Sequence, residues 1–125
     1  MGSYTLSAGY YDAFYKKAAQ IRTMNKEEFE KSLEKYDLLL TPVSPVLPFK
    51  IGDKLADPLQ MYLVDVDTTP INVAGVPALS LPTGFSKSGL PIGVQLIGPI
   101  KGEEKILEIG SVLENSLGIS RRPEL

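Results

Sequence analysis

Residues Tyr11, Tyr15, Ala18, Arg22, Phe29, Leu33 and Tyr36 follow a spacing of three and four, with charged residues between them. That period predicts a helical segment over 7–36, with Ser7 placed to cap its start. Asn25 and Glu28 have the spacing of a capping box, so one long helix with an irregularity near 23–25, the reading favoured here, and two abutting helices are both open. The run "YDLLLTP" changes the pattern from periodic to continuously apolar. A short run of this kind, stopped by proline, predicts a strand over 37–41 covered on both faces. Pro42, Pro45 and Pro48 then make 42–56 an extended loop, because each proline lacks a donor and restricts the residue before it.

Asp57-Pro58 reads as a cap followed by proline at the first helical position, and opens a helix over 58–74. Pro70 lies inside it and removes one backbone bond, so a kink or break is expected near 68–69. Gly75 and Pro77 end the segment. "PALSLPTG" and "PIGVQLIG" flank the polar turn "FSKSGL", which predicts a hairpin over 78–98 with Pro82 at an edge or bulge. "EEKILEIGSVLENSL" predicts a last helix over 103–117. Ile106, Leu107, Ile109, Gly110, Leu113 and Leu117 form its apolar face, and Gly118 terminates it. Helices alternating with strands give the fold class: α/β, a layered mixed sheet with helices packed on it.

Composition narrows the chemistry more than the fold. The 125 residues contain no cysteine and no histidine. Disulfides, thiolate zinc sites, and Cys–His or Ser–His–Asp catalysis are therefore excluded within this chain. No carboxylate loop of the calcium-binding type is present, and no metal site is expected. The net charge of −2 gives no basic field for nucleic acid. No leader pattern opens the sequence and no apolar stretch reaches membrane length, so a cytoplasmic domain without membrane contact is expected.

The polar positions of 58–74 carry the candidate chemistry. On a continuous helix, Tyr62, Asp65, Thr69 and Asn72 fall at i, i+3, i+7 and i+10, one stripe flanked by Leu59, Leu63, Val66 and Val73. A carboxylate between apolar walls is costly unless it has a partner. Such a stripe is more often the solvated side of an amphipathic helix, and for Asp65 the pattern alone favours solvent or capping over a ligand. Asp67 lies off the stripe. Ser44 has no histidine, and no lysine at a telling spacing, to make it a nucleophile, and Ser80, inside a strand, reads as a packing or hydrogen-bonding residue.

The runs "SAGYYDAFYKKA", "DPLQMYLVDVDTTPINVAGVPALSLPTG" and "GLPIGVQLIG" resemble the C-terminal part of the amidase signature family. "SAGYYDA" and "DPLQMY" are similar, more narrowly, to its tRNA-dependent branch, the A subunits that serve glutamyl-tRNA(Gln) or aspartyl-tRNA(Asn). The resemblance implies a parent that hydrolyses glutamine and passes ammonia to a B subunit. The B subunit then amidates the charged tRNA with ATP and magnesium, while a C subunit braces both. It implies that catalysis uses two serines and a lysine upstream of the region matched here, so no catalytic residue and no cofactor is assigned to this chain. It also implies that Asp65 binds the α-ammonium of glutamine, with Tyr62, Thr69 and Asn72 in support. A chain carrying only this part is expected to be inactive alone and to self-associate. Two alternatives stay open: another amide hydrolase of the same family, and a binding or scaffold domain without catalysis.

Overall fold

A computed structural model describes residues 15–50 and 58–119. The expected cap at Ser7, the helical positions before residue 15, the end of the proline loop and the cap at Asp57 lie outside the described residues. Helix α1 spans Lys16–Leu33 without interruption. The expected irregularity at 23–25 is absent, because Asn25 makes no capping box and instead donates its side-chain amide to the Pro70 carbonyl at 2.6 Å. Tyr36 lies beyond the helix and is exposed.

Strand β1, Leu39–Pro42, begins later than the apolar run suggests. Strands β2, Ala78–Phe85, and β3, Pro91–Ile97, form the hairpin. The sheet order is β1-β3-β2, with both pairings antiparallel. The layered α/β class stands, while the three described strands show antiparallel pairing in place of a mixed sheet. Among the described residues β1 is therefore an edge strand, and Leu40 is 60% exposed. An apolar run shows that a strand is wanted, not which neighbour covers it. Pro82 lies on the other outer strand, β2, where the register shifts between Pro82 and Gly84. The missing donor is accommodated there by the bulge.

Side chains of directly paired strand residues share a face. Leu39, Ile97 and Ala78 are in register, as are Thr41, Gln95 and Ser80, and these alternate positions make one face. On that side Ile97 and Leu39 pack with Ile71, Ala74, Val76 and Phe29. The opposite face presents Leu79, Leu81 and Leu96 to helix α4, Glu103–Leu117, through Ile106, Ile109 and Leu113. Burying each such aliphatic side chain contributes about 1.5–3 kcal/mol. Gly110 allows the helix to approach, since a methyl group there would lie 2.5 Å from Leu79 Cδ2. Leu107, expected on the apolar face, is exposed to solvent.

The segment 58–74 is two helices. Helix α2 is Pro58–Val64 and helix α3 is Thr69–Ala74. Pro70 falls in the first turn of α3, where its absent N–H is harmless. In the interior of one long helix it would have left a carbonyl unpaired and met the preceding turn. The chain breaks just ahead of it, at residues 65–68. Gly75 closes α3 with a left-handed φ of 74°, its N–H donating to Ile71 O at 3.0 Å.

Candidate functional site

The break at 65–68 reorganises the polar stripe. Asp65 N–H donates to the Tyr62 carbonyl at 3.3 Å and Val66 N–H to Leu63 at 3.4 Å, so the end of α2 tightens to three-residue spacing. The Asp65 carbonyl then accepts from Thr68 N–H at 3.2 Å, Thr69 N–H at 2.9 Å and the Thr68 hydroxyl at 3.3 Å. The Thr68 carbonyl in turn accepts from Asn72 N–H at 3.3 Å and from the Asn72 side-chain amide at 3.0 Å. The candidate residues are thus joined through one main-chain ladder. They do not form a continuous helical stripe.

The structure brings Asp65, Thr69 and Asn72 into one short segment and sends their side chains to different tasks. Asp65 is exposed, and its carboxylate has no hydrogen bond or ion pair among the described residues. Tyr62 is 77% exposed, one turn of helix ahead of it. Thr69 and Asn72, with Val73, line a shallow depression beside Arg22 of α1. Asn72 spends its amide on the Thr68 carbonyl, which makes it a support of the turn. The apolar flanks Leu59, Leu63, Val66 and Val73 are exposed as well, so no closed pocket surrounds the carboxylate within the described residues.

A separate groove of about 560 Å³ runs beside this turn. Its walls are the proline segment (Val43, Val46, Phe49), the hairpin (Leu81, Ile92) and Val64, the residue before Asp65. Ser44 and Ser80 also line it, among apolar neighbours. The groove is an apolar trough, and Asp65 is not among its lining residues.

The residue that the sequence reading missed is Gln95. It is 2% exposed, a buried polar side chain on the central strand. Its Nε2 donates to the Pro42 carbonyl at 3.0 Å and to the Asp67 carbonyl at 2.9 Å. The first bond reaches the end of β1, where the proline segment begins, and the second reaches the turn that carries Asp65. A glutamine in an apolar strand was the available signal, since a buried amide demands partners.

A hydrogen bond from Lys105, and then its positive charge, hold the Asp37 carboxyl below the usual carboxylate range. This pair ties the approach to β1 to the first turns of α4. Among the described residues no three carboxylates converge as metal ligands would. No described helix is long and apolar enough to cross a membrane.

Residues 1–107 match the family model described as amidase. The chain is 60% identical over 114 residues to the second of the glutamyl-tRNA(Gln) amidotransferase A subunits of Clostridium acetobutylicum, covering 91% of this chain and 24% of that protein. It is 56% identical over 119 residues to the glutamyl-tRNA(Gln) amidotransferase A subunit of Alkaliphilus metalliredigens, covering 95% and 24%. The solved glutamyl-tRNA(Gln) amidotransferase A subunit of Thermotoga maritima superimposes with a TM-score of 0.79 at 46% identity, over 91% of this chain and 25% of that one. The structure of 6-aminohexanoate cyclic dimer hydrolase with its substrate matches with a TM-score of 0.71 at 27% identity, over 94% and 27%. The chain thus spans about a quarter of the length of the relatives that it matches.

Proposed function

The chain belongs to the amidase family, and on that premise we propose that it is the C-terminal part of a glutamine-hydrolysing A subunit of a tRNA-dependent amidotransferase. The relatives named for glutamyl-tRNA(Gln) amidotransferase, at 60% and 56% identity, support this branch over others. In this reading the parent protein releases ammonia from glutamine in the cytoplasm. A B subunit uses that ammonia, with ATP and magnesium, to amidate glutamate or aspartate on its tRNA, and a C subunit holds the two together. The two serines and the lysine of hydrolysis belong to the part of the parent protein upstream of this one.

The observation that carries the reading for this chain is Asp65. Its carboxylate is exposed on a tight turn, with its acceptor sites uncommitted among the described residues. A glutamine α-ammonium needs such an acceptor, and a charge-assisted bond of this kind contributes ~1.5–3 kcal/mol. Asp65 binds the ammonium, while Thr69 and Asn72 help to shape the turn and Tyr62 flanks it. This division of labour uses the carboxylate for charge and the upstream residues for covalent chemistry.

The likeness to 6-aminohexanoate cyclic dimer hydrolase favours a second reading, an amide hydrolase that works by itself. The two separate in one assay. The full-length protein that carries this segment is mixed with B and C subunits, ATP, magnesium, glutamine and Glu-tRNA(Gln). Glutamine-dependent formation of Gln-tRNA(Gln) supports the amidotransferase. Hydrolysis of small amides by the purified full-length protein without partners, and no tRNA product in the full mixture, supports the second reading. The 125-residue chain by itself is expected to release no ammonia from glutamine.

A further inference from the structure

Gln95 has no part in the chemistry just described, yet its two hydrogen bonds are unusual in where they end. One amide nitrogen serves two main-chain carbonyls, those of Pro42 and Asp67, which lie 53 and 28 positions away in sequence. Only an –NH2 group can donate to both at once, so the acceptors fix which end of the amide is nitrogen. Gln95 lies between Thr41 and Ser80 in the strand register, at the centre of the sheet face that α1 and α3 cover. The sheet is the stiff element here. The turn at 65–68 is not part of it, and Leu59, Met61 and Leu63 of α2, ahead of the turn, are all exposed.

We propose that Gln95 is a positioning residue for the Asp65 carboxylate. The inference rests on the reading of Asp65 as the ammonium acceptor. The path is short and made of hydrogen bonds. Gln95 pins the Asp67 carbonyl to the central strand, and Asp67 lies within the loop that the Asp65 carbonyl closes with Thr68 and Thr69. Fixing Asp67 therefore fixes the ring of atoms from which the Asp65 side chain departs. The second bond, to Pro42, sets the proline segment against the same reference point, so the groove wall and the carboxylate are registered to one side chain. Placement matters because a misplacement of about 1 Å at a binding group can cost on the order of 100-fold in turnover efficiency.

The test uses the full-length protein in complex with its partners. Gln95→Met keeps length and apolar packing and removes both donated bonds. The expected result is a rise of roughly 10- to 100-fold in KM for glutamine, with kcat within about threefold and ammonia-dependent amidation unchanged. A residue that served stability alone would lower the yield of folded protein and leave KM where it was, and that outcome overturns the proposal. Asp65→Asn and the double variant are measured alongside. With the carboxylate's charge gone, moving the turn has little more to lose, so the two effects should combine to much less than their product. If Asp65→Asn leaves glutamine use intact, the reading of Asp65 fails. If Asp65→Asn weakens it and Gln95→Met does not, the positioning role alone fails. Should Gln95→Met not fold, Gln95→Asn keeps the amide but is one methylene too short to reach both carbonyls. Its KM for glutamine must then rise, and an unchanged KM rejects the role.

Discussion

The Asn25 side-chain amide of α1 donates to the Pro70 carbonyl in the first turn of α3, across 2.6 Å. Together with the Gln95 bond to the Asp67 carbonyl, it holds the 65–68 turn from both of its neighbours, the helix layer and the sheet. Replacing Asn25 by Asp keeps the size and removes the donor, leaving an anion facing a carbonyl. The expected cost is ~1 kcal/mol of stability, since the lost bond is partly exposed. Asn25→Ala should cost less, because alanine's helix propensity recovers ~0.5 kcal/mol. Urea denaturation of both variants checks the order. Equal stability of Asn25→Asp and the parent chain would show that the bond contributes nothing.

Gly110 sets how closely α4 approaches the sheet. A methyl group there meets the end of the Leu79 side chain, which can shift, whereas a branched side chain must push the helix away. Gly110→Val is expected to destabilise by about 1–3 kcal/mol, and Gly110→Ala by less. Denaturant midpoints measure this, and an unchanged midpoint for the valine variant contradicts the packing described.

The Asp37–Lys105 pair predicts one acid-sensitive contribution. The Asp37 carboxyl is held below its ordinary value in the folded chain, by the Lys105 hydrogen bond first and its charge second. A lowered folded value means stability that is present above the unfolded value and lost as pH falls through the folded one. Both groups are exposed, so the effect is small and weakens with salt. Asp37→Asn should lower the urea midpoint at about pH 6 and by less at about pH 3. An equal loss at both pH values would assign the effect to packing and not to charge.

The isolated chain should self-associate. Among the described residues its sheet has two open edges, Leu40 is exposed on one of the outer strands, and α1 exposes Ile21 and Met24. Open edges and exposed apolar side chains both invite pairing between copies. Sedimentation at rising concentration is expected to show dimers or larger species, and a monomer throughout would contradict this.

Sequence pattern located what is locally encoded. The hairpin was legible because two apolar runs flank a polar glycine turn. Helix α4 was legible because acidic residues open it and Gly118 closes it. Pro70 announced a break, expected near 68–69 and found at 65–68, though a helical wheel drawn through it produced a stripe that the chain does not make. What stayed hidden depends on partners far away in sequence. The Asn25–Glu28 spacing imitates a cap, while the real acceptor of Asn25 is 45 positions on. Leu40 belongs to a run that reads as buried, and its exposure follows from strand order. Gln95 carries no periodic signal at all, because its meaning lies in two carbonyls brought to it by the fold. Asp65 was singled out by resemblance, and its pattern alone pointed to solvent.

The central claim is that the Asp65 carboxylate binds the glutamine ammonium, and one comparison tests it most directly. In the full-length protein in complex with its partners, Asp65→Asn keeps the size and removes the charge. Losing ~1.5–3 kcal/mol of charge-assisted binding corresponds to roughly a 10- to 150-fold fall in kcat/KM for glutamine. Free ammonia does not use this site, so ammonia-dependent amidation should be nearly unchanged. Asp67→Asn keeps the carbonyl that Gln95 holds and should do little. A fall in ammonia-dependent turnover alongside the glutamine-dependent one, or a larger loss from Asp67→Asn than from Asp65→Asn, would contradict the account.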